Sequence, residues 1–159
     1  ESTAISLFVS MLVLVLLTRR LGQSLVVILP VGLAGAWVVG AMAMIGMNWN
    51  VLTIMITALT IGLGIDYSIH VWRRIEANRN SGMGTWEAMR DMYSTTGTAL
   101  LLSAGTTICG FMVLLLSPIP VIQDFGIVSS ISVLFSLVMA LLVLPGLLAA
   151  EFRTSSDYA

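Results

Sequence analysis

Apolar residues fall in long runs along this chain, separated by short polar breaks, and the length of each run decides what it can be. A helix rises about 1.5 Å per residue, so crossing a hydrocarbon core of about 30 Å takes roughly 20 residues. The run at 25–47 is long enough and carries Pro30 with Gly32, Gly35, Ala36 and Gly40, small residues that let helices approach closely in lipid. After Asn48, Trp49 and Asn50, a second run at 51–72 returns across the membrane, and two more follow at 96–116 and 122–148. The run at 5–17 is too short to cross, and its span, about 1–18, is expected to be cut at its start. Arginines follow this run and Glu1 precedes it, the reverse of a signal peptide, and there is no initiator methionine, so residue 1 reads as an internal position.

The pattern predicts an all-α, polytopic membrane helix bundle with five transmembrane segments. Between the third and fourth spans, 73–93 forms a polar loop with a glycine-containing break at Ser81, Gly82, Met83 and Gly84. Thr85 is expected to cap a short helix there, with Trp86, Met89 and Tyr93 near one face and Glu87 and Asp91 away from it, lying in the membrane interface. Pro145 is expected to bend or finish the last span. Residues 151–159 form a polar tail, and no stretch is left for a folded soluble domain.

Composition agrees with that picture: hydrophobic residues make up 58% of the chain and charged residues 9%, where a soluble domain has about a quarter charged. Net charge is −1, with no broad basic surface, so nucleic acid is not an expected partner. The single cysteine, Cys109, excludes an internal disulfide and makes no metal-ligand spacing with the single histidine, His70, so no metal or other cofactor is expected. The ten methionines read as packing or lipid-facing side chains. Arginine supplies all the positive charge. Arg19, Arg20, Arg73, Arg74, Arg79, Arg90 and Arg153 fall on one side of the alternating spans, which the positive-inside rule makes cytoplasmic.

Two polar residues inside the third span carry the candidate chemistry. Asp66 lies about six residues before the cytoplasmic end, where an ionised carboxylate is expensive; at a span's centre the cost is about 2.5–3.5 kcal/mol. Such a group faces protein or water, and it can bind and release protons. His70, at i+4, shares its face and offers a path toward the cytoplasm; the competing reading is a plain interfacial histidine beside Trp72. Tyr67 points about 100° away and serves a different neighbour. On the fourth span Ser103, Thr106, Thr107 and Gly110 make a small and polar stripe, suited either to hydrating the Asp66 face or to packing.

The run TIGLGIDYSIHVWRRIE at 60–76 resembles the Asp-Tyr motif in the fourth or tenth transmembrane helix of MMPL-type members of the resistance-nodulation-division (RND) superfamily. A charged helix, TTGTA at 95–99, SAGTTICGF at 103–111 and SPIPVIQDFG at 117–126 follow in that family's order. The resemblance covers nearly the whole chain as spans two to six, or eight to twelve, of a transporter with two pseudo-repeated halves. It implies proton-driven export of lipids or hydrophobic molecules from a prokaryotic cytoplasmic membrane. In the family the Asp-Tyr pair, here Asp66 and Tyr67, couples proton flux to conformational change, with Ser103 or Thr106 as supporting polar residues. Implied partners are membrane lipids, a hydrophobic substrate, the other transmembrane half and extracytoplasmic porter domains.

A sterol-sensing-like lipid-binding or receptor domain, or a Sec-type translocation accessory subunit, has a similar helical plan and is the alternative. An intramembrane aspartyl protease would need a Gly-x-Gly-Asp motif and a second membrane aspartate. Here Gly62-Leu63-Gly64-Ile65-Asp66 has an extra residue and the second acid is missing. With only Ser103 and His70 as a formal nucleophile and base, there is no complete catalytic constellation and no enzymatic role is expected.

Overall fold

A computed structural model describes residues 21–46 and 51–149, all helices and tight turns. Helix α1, Leu21–Ile45, carries Pro30 within it and ends at Gly46, whose φ of +72° lets its N–H reach back to the Ala43 carbonyl at 3.2 Å. Helix α2 is Val51–Asn80, α3 is Thr85–Met92, α4 is Thr98–Met112 and α5 is Pro120–Val138. Among the described residues four helical stretches are long and apolar enough to cross a bilayer: Val27–Met44, Met55–Asn80, Thr85–Leu116 and Pro120–Ala149. The expected first span, 1–18, the loop at 48–50 and the tail at 151–159 lie outside the described residues.

The helices run past the expected boundaries. α2 has 30 residues, about 45 Å of helix, so it continues eight residues beyond the span end at 72. What read as a loop at 73–93 is therefore the end of α2, a four-residue turn, and α3. The turn forms where Gly82 takes φ +93°, while Met83 N–H and the Ser81 hydroxyl both donate to the Asn78 carbonyl. Gly84, not Thr85, holds the N-cap position: it is extended, and its carbonyl accepts from Ala88 N–H at 2.9 Å without any side-chain cap.

α3 also does not stop before the next span. It passes through a π-turn, Tyr93–Gly97, into α4, and a 3₁₀ turn, Val113–Leu116, closes the rod. The reason lies in what α3 buries. Ala88, Met89 and Met92 are covered against α2, while Trp86 is exposed, so the methionine and the tryptophan expected on one face are split between protein and surroundings.

α5 is the hub, packing against α1, α2 and α4. Lipid is as apolar as leucine, so close packing rather than water exclusion holds such helices together. At Gly64 a Cβ would lie 3.3 Å from Val31 Cγ1 and 3.5 Å from Ser136 Oγ, which locates the tight crossing of α1, α2 and α5. At the other end Gly126 lets α5 approach α4 so closely that a Cβ would sit 2.7 Å from the Phe111 carbonyl oxygen. Toward the outside, Leu29, Leu33, Trp37, Leu101, Leu102, Leu134 and Leu142 are exposed, as suits a surface in contact with acyl chains.

Pro145 does not end the last helix. α5 runs through a π-turn, Met139–Val143, and stays helical over 144–149. Proline has no N–H for the carbonyl four residues back, which here is Leu141. The Tyr93 hydroxyl fills that vacancy, donating to the Leu141 carbonyl at 2.6 Å. Gly97 lies against the same leucine, so the two π-turns face each other.

Candidate functional site

Asp66 sits on α2 with its side chain exposed and makes no hydrogen bond or ion pair with any described residue. One turn outward is Gly62 and one turn toward the arginines is His70, both exposed, so the three form a stripe along α2. Tyr67 is on another face: it is buried in the core with Val71 and Ile75, as the 100° step between neighbours requires.

His70 and Ser103 come together in a groove of about 450 Å³ between α2 and the start of α4, walled by Arg74, Thr95, Thr96, Ala99 and Leu100. Beyond the π-turn α4 packs on α5 and stands apart from α2. Moving outward from the groove, Asp66 on α2 and Thr106 with Thr107 on α4 are each about one turn from the level of His70 and Ser103. Both threonine hydroxyls donate to the Ser103 carbonyl, at 2.8 and 2.9 Å, and neither contacts Asp66. The structure thus brings His70 and Ser103 to one groove and leaves Asp66, one turn outward of it on α2, without a partner among the described residues.

Below the groove is a polar clamp to which no motif in the sequence points. Arg74 Nε and Nη2 both lie 2.9 Å from Asp91 Oδ2, and Asn78 Nδ2 donates to the same oxygen at 2.6 Å and to the Ala88 carbonyl at 3.2 Å. Asp91, expected away from the interfacial face of Trp86, Met89 and Tyr93, is the acceptor that ties α3 to α2. Nothing in the spacing of residues 74, 78 and 91 reveals this, because the pairing depends on the turn between them.

A second seam was overlooked although its signal was present. Ser129, Ser132 and Ser136 recur at i, i+3 and i+7 on α5, and all are buried with Ser130. Ser130 and Ser132 donate to the Gly126 and Val128 carbonyls, and Ser136 reaches across to the Thr60 carbonyl at 3.4 Å. Ser68 and Ser129 keep buried hydroxyls without a partner among the described residues. The buried hydroxyls therefore belong to α5 and α2, while the α4 stripe is mostly exposed. No cluster of metal-ligating side chains occurs among the described residues.

The MMPL family profile matches residues 2–154. The chain belongs to the MMPL family. This MMPL chain is 34% identical over 152 residues to a membrane protein of Methanocaldococcus jannaschii, a match covering 96% of the chain and 39% of that protein. It is 27% identical over 136 residues to protein patched homolog 1 of Danio rerio, 80% of the chain and 11% of that protein. Protein patched homolog 2 of Homo sapiens is 28% identical over 127 residues, 79% of the chain and 10% of its own length. The chain thus spans about two fifths of the first relative and about a tenth of the other two. No solved structure gives a significant match. With the helical bundle, these similarities make the chain a multi-pass membrane domain of the MMPL type within the RND superfamily.

Proposed function

We propose that this chain is part of a proton-motive-force-driven exporter of lipids or hydrophobic molecules in a prokaryotic cytoplasmic membrane, and that Asp66 is its coupling carboxylate. One observation carries the reading: a carboxylate with no hydrogen-bond or ion-pair partner among the described residues stands inside a crossing helix, one turn above a groove that holds His70. An ionised group there is costly unless hydrated, and a neutral one much less so. Protonation of Asp66 changes which surroundings its helix favours, and that difference drives a conformational change. Release then runs from the Asp66 oxygen to His70 on the same face and out past Arg74.

Tyr67, buried beside the acid, is the second member of the coupling pair and supports Asp66 from the core side of the helix. The other transmembrane half and the extracytoplasmic porter domains complete the transporter. Asp66→Asn removes the proton site and keeps size and hydrogen-bonding capacity. In vesicles containing the intact protein it is expected to reduce gradient-driven efflux to that of protein-free vesicles, with thermal stability retained. Tyr67→Phe has a milder effect. Wild-type efflux from well-folded Asp66→Asn protein would favour the second reading, a sterol-sensing-like lipid-binding domain, in which the groove between α2 and α4 holds a lipid and no proton moves.

A further inference from the structure

We propose that the groove between α2 and the start of α4 is a site for the phosphate of an anionic phospholipid, drawn from the leaflet at the arginine end of the bundle. The groove lies on the route proposed for the proton, but the site does not rest on Asp66 being the coupling group. His70, Thr96 and Ser103 line it, and among the described residues neither the imidazole nor either hydroxyl has a hydrogen-bond partner. It is the Ser103 carbonyl, not its hydroxyl, that receives the Thr106 and Thr107 bonds. Arg74 is also in the wall: its Nε and Nη2 hold Asp91, and Nη1 makes no bond among the described residues. Thr95 adds wall but no donor, because its hydroxyl already donates to the Asp91 carbonyl at 2.7 Å.

No carboxylate is among the residues that line the groove. Donors gathered without an acceptor, one of them a permanent cation, select an anion, and guanidinium with hydroxyl groups is a donor set that suits phosphate oxygens. Asp91 helps by holding the guanidinium in place from its other side, so less of Arg74's freedom is lost when a ligand arrives.

Place and size favour a lipid headgroup over a free ion. His70 belongs to the apolar run of α2, whereas Arg74 follows the end of that run at Trp72, so the groove straddles the level where hydrocarbon gives way to headgroups. Cationic pockets between transmembrane helices at that level bind anionic headgroups. The volume of about 450 Å³ falls in the range of about 300–1,000 Å³ usual for small-molecule sites. Ala99 and Leu100 form the apolar side of the groove, and Leu101 and Leu102 are exposed on α4 just beyond it, where the acyl chains lie. A sterol, with one hydroxyl and no charge, leaves Arg74 and most of the other donors unanswered.

The test uses the full-length protein that contains this chain, in detergent, with Cys109→Ala and with Ala99→Cys as a reporter in the groove wall. Its rate of reaction with a maleimide is followed by mass spectrometry while phosphatidylglycerol, or the diacylglycerol with the same chains, is added. Gly105→Cys, exposed on α4 outside the groove, reports general coating by lipid. Phosphatidylglycerol is expected to slow labelling of Ala99→Cys and diacylglycerol is not, while Gly105→Cys responds alike to both. Arg74→Gln is expected to raise the lipid needed for half-protection about fivefold, the effect of one arginine beside an anionic headgroup. Thr96→Val with Ser103→Ala leaves the clamp between α2 and α3 intact and weakens protection as well. Arg73→Gln, exposed on α2 but not in the groove, leaves protection unchanged. Equal protection by the two lipids, protection by inorganic phosphate but not by phosphatidylglycerol, or an equal loss with Arg73→Gln overturns the proposal. Efflux by Asp66→Asn is read separately: normal export with protection intact removes the coupling assignment and leaves the phosphate site standing.

Discussion

At the scale of single residues, the contact between Tyr93 and Leu141 shows how a local defect in one helix is repaired by another. Pro145 leaves the Leu141 carbonyl without its helical donor, and the Tyr93 hydroxyl takes that place at 2.6 Å. Tyr93→Phe is expected to destabilise the protein by about 1 kcal/mol, the usual net worth of such a bond. In a Pro145→Ala background the restored N–H makes the tyrosine hydroxyl redundant, so the loss shrinks. Thermal unfolding of the four proteins in detergent reads this coupling, and additive effects would contradict the account. Glycine positions separate just as cleanly. A Cβ on Gly126 meets the Phe111 carbonyl oxygen at 2.7 Å and Leu114 Cβ at 3.0 Å, so Gly126→Ala is expected to cost about 1–3 kcal/mol through overpacking. Gly105 has open space around it, and Gly105→Ala is neutral or stabilising by up to about 1 kcal/mol. The same melting experiment checks both.

At the scale of elements, α3 is held to α2 by one carboxylate that serves an exposed arginine and a buried asparagine, and the two are not equivalent. The Arg74 side chain is 42% exposed, so Arg74→Gln should weaken the clamp by less than about 1 kcal/mol. Asn78 is 6% exposed and bonds both Asp91 and the Ala88 carbonyl, so Asn78→Ala leaves a buried carbonyl and a part-buried carboxylate each one donor short and should cost about 1–3 kcal/mol. Hydrogen exchange over α3 checks the order: Asn78→Ala accelerates exchange more than Arg74→Gln does. This clamp also marks how far the sequence could be read. The spans at 25–47, 51–72, 96–116 and 122–148 were legible because apolar length alone defines a crossing helix. The ends were not, because nothing in a polar stretch distinguishes a loop from a helix that continues outside the membrane. Asp66 and His70 could be paired from their i+4 spacing along α2, and the structure keeps them on one exposed face. Arg74 and Asp91 meet only because a glycine with positive φ turns the chain between them. The α5 serines were visible as a period but passed over, since a serine inside an apolar run gives no sign of whether it faces lipid or a neighbour.

At the scale of the whole molecule, the polar ends of the helices decide how the bundle sits in the membrane. Arg73, Arg74 and Arg79 lie at the end of α2, and Arg90 lies on α3 just across the turn at 81–84, so the four arginines share one end. The opposite end holds the turn between α4 and α5, where Ser117 accepts from Ile119 N–H and the Gln123 amide donates to the Ser117 carbonyl. That turn contains no basic residue, and Asp124 follows it. Positive residues resist transfer across the membrane, and on that ground we propose that the arginine end faces the cytoplasm and the turn at 117–119 the outside. With that orientation the proposed proton path would run toward the cytoplasm, because His70 and Arg74 lie on the arginine side of Asp66. In a Cys109→Ala background, Pro118→Cys is expected to react with an impermeant thiol reagent added to intact cells, and Ser81→Cys only after the membrane is opened. Both positions are exposed or partly exposed in the bundle, so a difference between them reads sidedness rather than burial. Labelling of Ser81→Cys from outside would invert the bundle, and Asp66 would then discharge away from the cytoplasm, the opposite of what a proton-driven exporter requires.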